Sequence, residues 1–296
     1  MMHKEQKPLA GIAADSASGA GSRLGWRGLG PSWGIALASL VGIAAFGFPF
    51  LLPAVAGVGQ PGSGAVRTAE APVVLALLTG LALLGSMAAV SGRGGDDRAA
   101  SGSKMVALLG ALVAIDATLR LVPTFLGASP IFVLILLVGV AFGPSFGFLM
   151  GSLTLLVSAF LTGGLGPWLP YQMLGTGWVG LSAGWLPRWP GRPGLLLLAV
   201  FGGAWGFLYG ALLNLYSWPF AAPGLDLPTG FYWTPGIGVG ESLRRYAGFY
   251  LTTSLLHDLF RAIANAALLL ALGGPILRLL ARYRSRFVWQ STTWLE

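Results

Sequence analysis

From Gly139 to Leu186 the chain runs without a charged side chain, yet it is broken by Pro144, by a Gly-Gly-Leu-Gly-Pro turn and by Pro170. A helix in a soluble core has no use for so many glycines. Lipid-embedded helices do, because glycine lets backbones approach closely where no hydrophobic effect drives helices together. Gly143, Gly147 and Gly151 recur every four residues and so line one helix face, and Gly180 and Gly184 do the same further on. Between them GGLGPWLPYQ (Gly163 to Gln172) is too apolar for an ordinary solvated loop. The expected structure is a pair of membrane helices joined by a tight aromatic turn.

Composition extends that expectation to the whole chain. Only 9% of the 296 residues are charged and 55% are hydrophobic, with a mean hydropathy of +0.74; soluble domains carry about 25% charged residues. The fold class is therefore an all-α polytopic integral membrane protein. Cysteine is absent, which excludes disulfides, thiolate metal sites and cysteine nucleophiles. The net charge of +8 does not indicate nucleic acid, because most Lys and Arg lie beside apolar segments, as orientation signals do.

About 20 apolar residues span a bilayer. By that measure eight segments qualify, at 33–54, 71–90, 103–121, 131–142, 144–162, 170–187, 194–216 and 249–273, the fourth being short and required by topology. Pro49 and Pro53 are expected to kink or end the first. With both termini in the cytoplasm, inside stretches hold thirteen Lys and Arg, whereas outside stretches hold only Arg67, Arg244 and Arg245. That bias requires an even number of spans. The expected organisation is a disordered tail (1–30) without a cleavable signal, a two-helix unit with a polar linker at 91–103 (31–100), a six-helix core (101–286) and a short tail (287–296).

Polar groups inside membrane helices are rare, so each has a structural and a functional reading. Asp116 and Arg120, four residues apart, read as an ion pair or as the polar wall of a cavity. Asp258 and Arg261, with Asn265 one turn on, read as a structural network or as a contact to a partner. Gly202, Gly206, Gly210 and Asn214 form a ladder of period four. Asn214 either bonds a neighbouring helix or, followed by YSWPF (Tyr216 to Phe220), meets a planar ligand. Trp168, Tyr171, Trp218, Phe220, Phe231, Tyr232 and Trp233 suit an interfacial belt. Several of them lie in Pro- and Gly-rich loops at 163–170 and 217–240, which are long enough to cover a pocket. Ala107 and Ala111, with Gly110 and Ala114, make a flat small-residue patch for another membrane protein.

Enzyme signals are poor: His3 and His257 are far apart in sequence and no HExxH or GxSxG occurs. No set of residues suggests a metal or other cofactor. No GxxxxGK[ST] loop is present, so ATP, if used, is hydrolysed by another chain.

Three blocks, Phe142 to Gly184, LYGALLNLYSWPF (Leu208 to Phe220) and Gly240 to Leu270, resemble the substrate-binding S components of energy-coupling factor (ECF) vitamin transporters. The resemblance covers roughly residues 101–286, and residues 33–90 resemble the two extra helices of a larger, actinobacterial type. It implies a coupling transmembrane protein and two cytoplasmic ATPases as partners, and a subunit that captures a vitamin from outside and topples to deliver it. It also implies an AxxxA contact with the coupling protein, matched by Ala107 and Ala111. Trp168, Gln172, Asn214, Trp218 and Arg120 are the residues it places near ligand. Cobalamin or a thiamine-type precursor is the first guess. The expected function is thus the substrate-capturing, non-enzymatic subunit of an ATP-driven importer in the cell membrane. The alternatives are a membrane enzyme acting on a lipid or isoprenoid, a scaffold, and a self-contained secondary transporter.

Overall fold

The computed structural model describes residues 33–51, 80, 96–122, 127–218, 229–234 and 237–287. The N-terminal tail, the C-terminal tail beyond Phe287, the span at 71–90 apart from Gly80, Arg67 and Phe220 lie outside these residues. Eight α-helices are described: α1 (Trp33–Leu51), α2 (Asp96–Leu119), α3 (Ile131–Phe142), α4 (Pro144–Thr162), α5 (Leu169–Ala183), α6 (Gly191–Ser217), α7 (Val239–Thr253) and α8 (Leu255–Phe287). No strand lies among the described residues, so the all-α membrane class holds. Three helices, over Pro144–Thr162, Gly191–Ser217 and Leu255–Ser285, are long and apolar enough to cross a membrane.

The eight helices do not map one to one onto the eight expected spans. The last span, expected at 249–273, is two helices, α7 and α8, parted at Ser254 where the backbone leaves helical geometry (φ −128°, ψ −23°). Hydropathy alone missed α7 because its first turns are polar. Glu241 pairs there with Arg244 and Arg245, three and four residues on, a spacing that supports a helix. Pro275 lies inside α8 without ending it. At the other end of the core, α2 begins at Asp96, inside the stretch expected as a linker.

Helix α3 is the centre of the bundle. Its 12 residues span about 18 Å at about 1.5 Å per residue, too short for a hydrocarbon core of about 30 Å. Every residue except Val140 is buried. Helix ends leave carbonyls without intrahelical partners, and here two arginines supply them. Arg188 Nε donates to the Val140 carbonyl (2.9 Å) and Arg284 Nη1 to the Ala141 carbonyl (3.0 Å). At Gly143 (φ 100°) the chain reverses into α4, with Pro144 as its first residue. A positive φ is glycine's ground, so Gly143 forms the reversal rather than the helix face expected of it.

The remaining glycines of the expected face do make a seam. A Cβ on Gly147 or on Gly180 would overlap the other's backbone, one on Gly139 would overlap Gly180, and one on Gly151 would overlap Thr176. Three helices, α3, α4 and α5, thus meet backbone to backbone at Gly139, Gly147 and Gly180. Hydroxyls fasten the same seam: Ser152 donates to the Met173 carbonyl and Thr176 to the Gly151 carbonyl, each at 3.0 Å.

A second seam joins α6 to α8. Asn265 Nδ2 donates to the Gly202 carbonyl (3.0 Å), Arg261 Nη1 to the Gly206 carbonyl (3.1 Å), and Asn214 Nδ2 to Ser254 Oγ (2.6 Å). Asp258 packs its carboxylate against Gly210. Positions ascending on α6 meet positions descending on α8, so the two helices are antiparallel. The same register logic makes α4 antiparallel to α5 and to α3. The six helices α2, α3, α4, α5, α6 and α8 therefore alternate in direction. Both ends of this core emerge on one side, the side of Arg188 and Arg284.

Outside that core, α1 lies along α5. Ala38, Gly42 and Phe46 are buried, with Gly42 against Leu174 and Trp178. Trp178 Nε1 donates to Ser39 Oγ (2.9 Å), and Phe46 meets Tyr171 edge to face with ring centres 5.1 Å apart.

Candidate functional site

At the end opposite the arginines, the last turn of α2, the C-terminal half of α4 and the first turn of α5 converge. The chain leaves α4 through Gly163, which takes the left-handed conformation (φ 65°) common after helix ends. It re-enters a helix at Leu169 with Pro170 in the first turn, where a missing N–H costs nothing. This tight turn brings Gln172 back beside α4. Arg120 spans the gap, donating from Nη1 to Ser158 Oγ (3.0 Å) and from Nη2 to Gln172 Oε1 (3.5 Å).

Asp116 lies one turn deeper on the same face of α2. It is fully buried, with its carboxylate beside the Thr154 hydroxyl rather than on a cation. Asp116 and Arg120 thus form no ion pair. Each instead faces a hydroxyl of α4, Thr154 and Ser158 respectively, in a parallel polar seam. Sequence reasoning missed Ser158 and Thr154, although Thr154, Ser158 and Thr162 recur every four residues on α4.

Arg120 and Gln172 are therefore brought together, and Trp168 sits one turn before Gln172 as the N-cap of α5, 44% exposed. Asn214 and Trp218 stand elsewhere. Asn214 bonds Ser254 in the α6–α8 seam. Trp218 is fully buried and donates from Nε1 to the Phe231 carbonyl (2.9 Å). It belongs to a second apolar cluster with Trp233 and Phe249, against which Phe231, Ile237 and Tyr246 pack. Tyr246 meets Trp218 with ring centres 5.3 Å apart and donates its hydroxyl to the Ala211 carbonyl. Two aromatic rings link the halves of this end: Tyr171, next to Gln172, packs against Tyr216 of α6 with centres 4.6 Å apart and planes tilted by 41°.

The loop residues over this end are tied down by charge. Arg245 Nη1 donates to the Tyr232 carbonyl (3.1 Å) and to Thr234 Oγ1 (3.2 Å), while its Nε holds Glu241 (2.7 Å). Hydrogen bonds from Arg245 and then Arg244 hold the Glu241 carboxyl below its ordinary range.

The face of α2 that carries Ala107, Gly110, Ala111 and Ala114 is exposed, and a Cβ added at Gly110 would meet nothing within 4 Å. Leu109, Leu112 and Val113 point the other way, into the core. Among the described residues no group of His, Asp or Glu could hold a metal ion.

Neither a curated protein nor a solved structure matches the chain. A family model described as "ECF transporter, substrate-specific component" matches residues 104–273, more than half of the 296. The match begins in α2 and ends in α8, covering the six alternating helices and both polar seams and leaving α1 outside. This integral membrane protein belongs to the family of ECF transporter substrate-specific components.

Proposed function

We propose that the chain captures a vitamin or vitamin precursor at its aromatic end, facing the cell exterior, and hands it on by docking α2 against a coupling subunit driven by two cytoplasmic ATPases. The family is one of transporter components rather than enzymes. The observation that carries the reading is the double character of α2. One end bears Arg120, which joins α4 and α5 through Ser158 and Gln172, and the other presents an exposed face of small residues.

The chemistry of the first end defines what it would hold. A guanidinium presents several donors in a fixed fork and suits a carboxylate or phosphate. The Gln172 amide can both donate and accept, and Trp168 offers a ring for stacking. Asn214 and Trp218 act in this scheme from behind, one fastening α6 to α8 and the other anchoring Phe231 at this end. The proposed ligand is a planar vitamin or vitamin precursor that bears an anionic group.

Small molecules that survive purification with the protein, identified by mass spectrometry, test the first half. Arg120→Gln should retain at least tenfold less of the ligand than the wild type, since a hydrogen bond to a charged group contributes about 1.5–3 kcal/mol. Equal retention removes Arg120 from the site. Replacing Ala107 and Ala111 with Trp tests the second half. Cellular uptake should fail while ligand retention persists; unchanged uptake would show that this face is not the docking surface.

A further inference from the structure

At the arginine-rich end, α6 and α8 line a groove of about 530 Å³ formed by Arg192, Pro193, Leu195, Leu196 and Leu270. That volume is within the range of about 300–1,000 Å³ typical of small-ligand sites. The groove has a polar mouth and an apolar length. Arg192, in the first turn of α6, is exposed and makes no hydrogen bond or ion pair with a described residue. Leu196 is 58% and Leu270 49% exposed, so the groove opens sideways, toward the lipid that surrounds a membrane protein, and not only along the bundle axis.

Depth and charge identify the occupant. Leu270 lies two turns of α8 away from Arg278, about 12 Å by helical rise, on the hydrocarbon side. Trp185 and Trp189, 68% and 56% exposed, stand just before α6, and tryptophans of this kind sit at headgroup level. Arg188, Arg192, Arg278, Arg282 and Arg284 lie at the same end. The stretches 184–217 and 262–287 that build it contain no Asp or Glu. We propose that this groove binds one anionic phospholipid, its phosphate on Arg192 and one acyl chain along Leu195, Leu196 and Leu270. A zwitterionic lipid would fit the apolar walls equally well but offers no net charge to an arginine without a partner. An uncharged chain of a partner protein would leave that arginine unmatched.

The test uses the full chain in bilayer nanodiscs doped with spin-labelled phosphatidylglycerol or phosphatidylcholine, reading the fraction of motionally restricted lipid. The wild type should favour phosphatidylglycerol. Arg192→Gln should cut that preference about fivefold, as expected for one interfacial cation near an anionic surface. Leu196→Trp, which fills the groove but keeps the charge, should release the restricted lipid of both kinds. Equal restriction of the two lipids in the wild type, or an unaltered preference in Arg192→Gln, overturns the proposal. Displacement of the restricted lipid by soluble glycerol phosphate also overturns it, because the groove would then be a phosphate site without a lipid tail. Unchanged thermal unfolding of both variants is the control for folding.

Discussion

Gly180 has less room than any side chain needs, since a Cβ there would fall on the Gly147 backbone of α4, and a Cβ on Gly139 of α3 would fall on the Gly180 carbonyl. Adding even one methyl group forces α4 and α5 apart, and overpacking of this kind costs about 1–3 kcal/mol. Gly180→Ala should therefore lower the thermal unfolding midpoint in detergent by several degrees. Gly110→Ala supplies the contrast. Its Cβ meets nothing, and alanine is favoured over glycine in a helix interior by up to about 1 kcal/mol, so its midpoint should hold or rise. The period of four in glycine spacing was enough to read Gly147, Gly151 and Gly180 as a seam. It could not distinguish Gly143, whose spacing is the same but whose role follows from Pro144 beside it. Arg120 shows the same limit for charge. Spacing ties it to Asp116, but at the end of α2 its long side chain reaches partners 38 and 52 residues away in sequence, and no local pattern encodes that reach.

Among elements, the pairing of α6 with α8 carries the most polar chemistry in the bundle. Arg261 lies on Asp258 at 2.5 Å, donates to the Gly206 and Gly127 carbonyls, and rests over the rings of Tyr209 and Phe132 at 5.5 and 6.0 Å. Each ladder was legible alone: Gly202, Gly206, Gly210 and Asn214 on one helix, Asp258, Arg261 and Asn265 on the other. Their register against each other was not, because it depends on where the chain turns between them. Small residues on α6 make room for large polar ones on α8, so the fit of the two helices cannot be read from either alone. Arg261→Met would leave Asp258 buried without its cation, at about 3–5 kcal/mol. The variant should fail to accumulate in membranes or unfold at much lower temperature. Asp258→Ala combined with Arg261→Met removes both charges and should recover most of that loss, which a double-mutant cycle of unfolding midpoints measures. If the double variant is as unstable as the single one, the guanidinium matters through its carbonyl and ring contacts and not through the carboxylate.

For the whole molecule, the alternation of six helices puts both ends of the core on the side of Arg188 and Arg284, the side that the charge bias predicts to be cytoplasmic. The short helix α3 was foreseeable only as a topological necessity. The structure adds the reason it is tolerated: it is encased in protein, and Arg188 and Arg284 complete its carbonyl end. Residues that bias orientation in the sequence thus also close the core. That dual use ties handedness in the membrane to folding, since the end where these guanidinium groups bond carbonyls is the end that the charge bias assigns to the cytoplasm. The absence of cysteine allows a direct measurement of this assignment. Leu165, in the turn between α4 and α5, and Trp189, before α6, are both exposed and lie at opposite ends of the bundle. With Leu165→Cys, a membrane-impermeant maleimide should label intact cells. With Trp189→Cys, it should label only after the membrane is opened. Labelling in the reverse order would turn the molecule over, placing the Arg120 and Gln172 end in the cytoplasm, and would remove the basis for capture from outside.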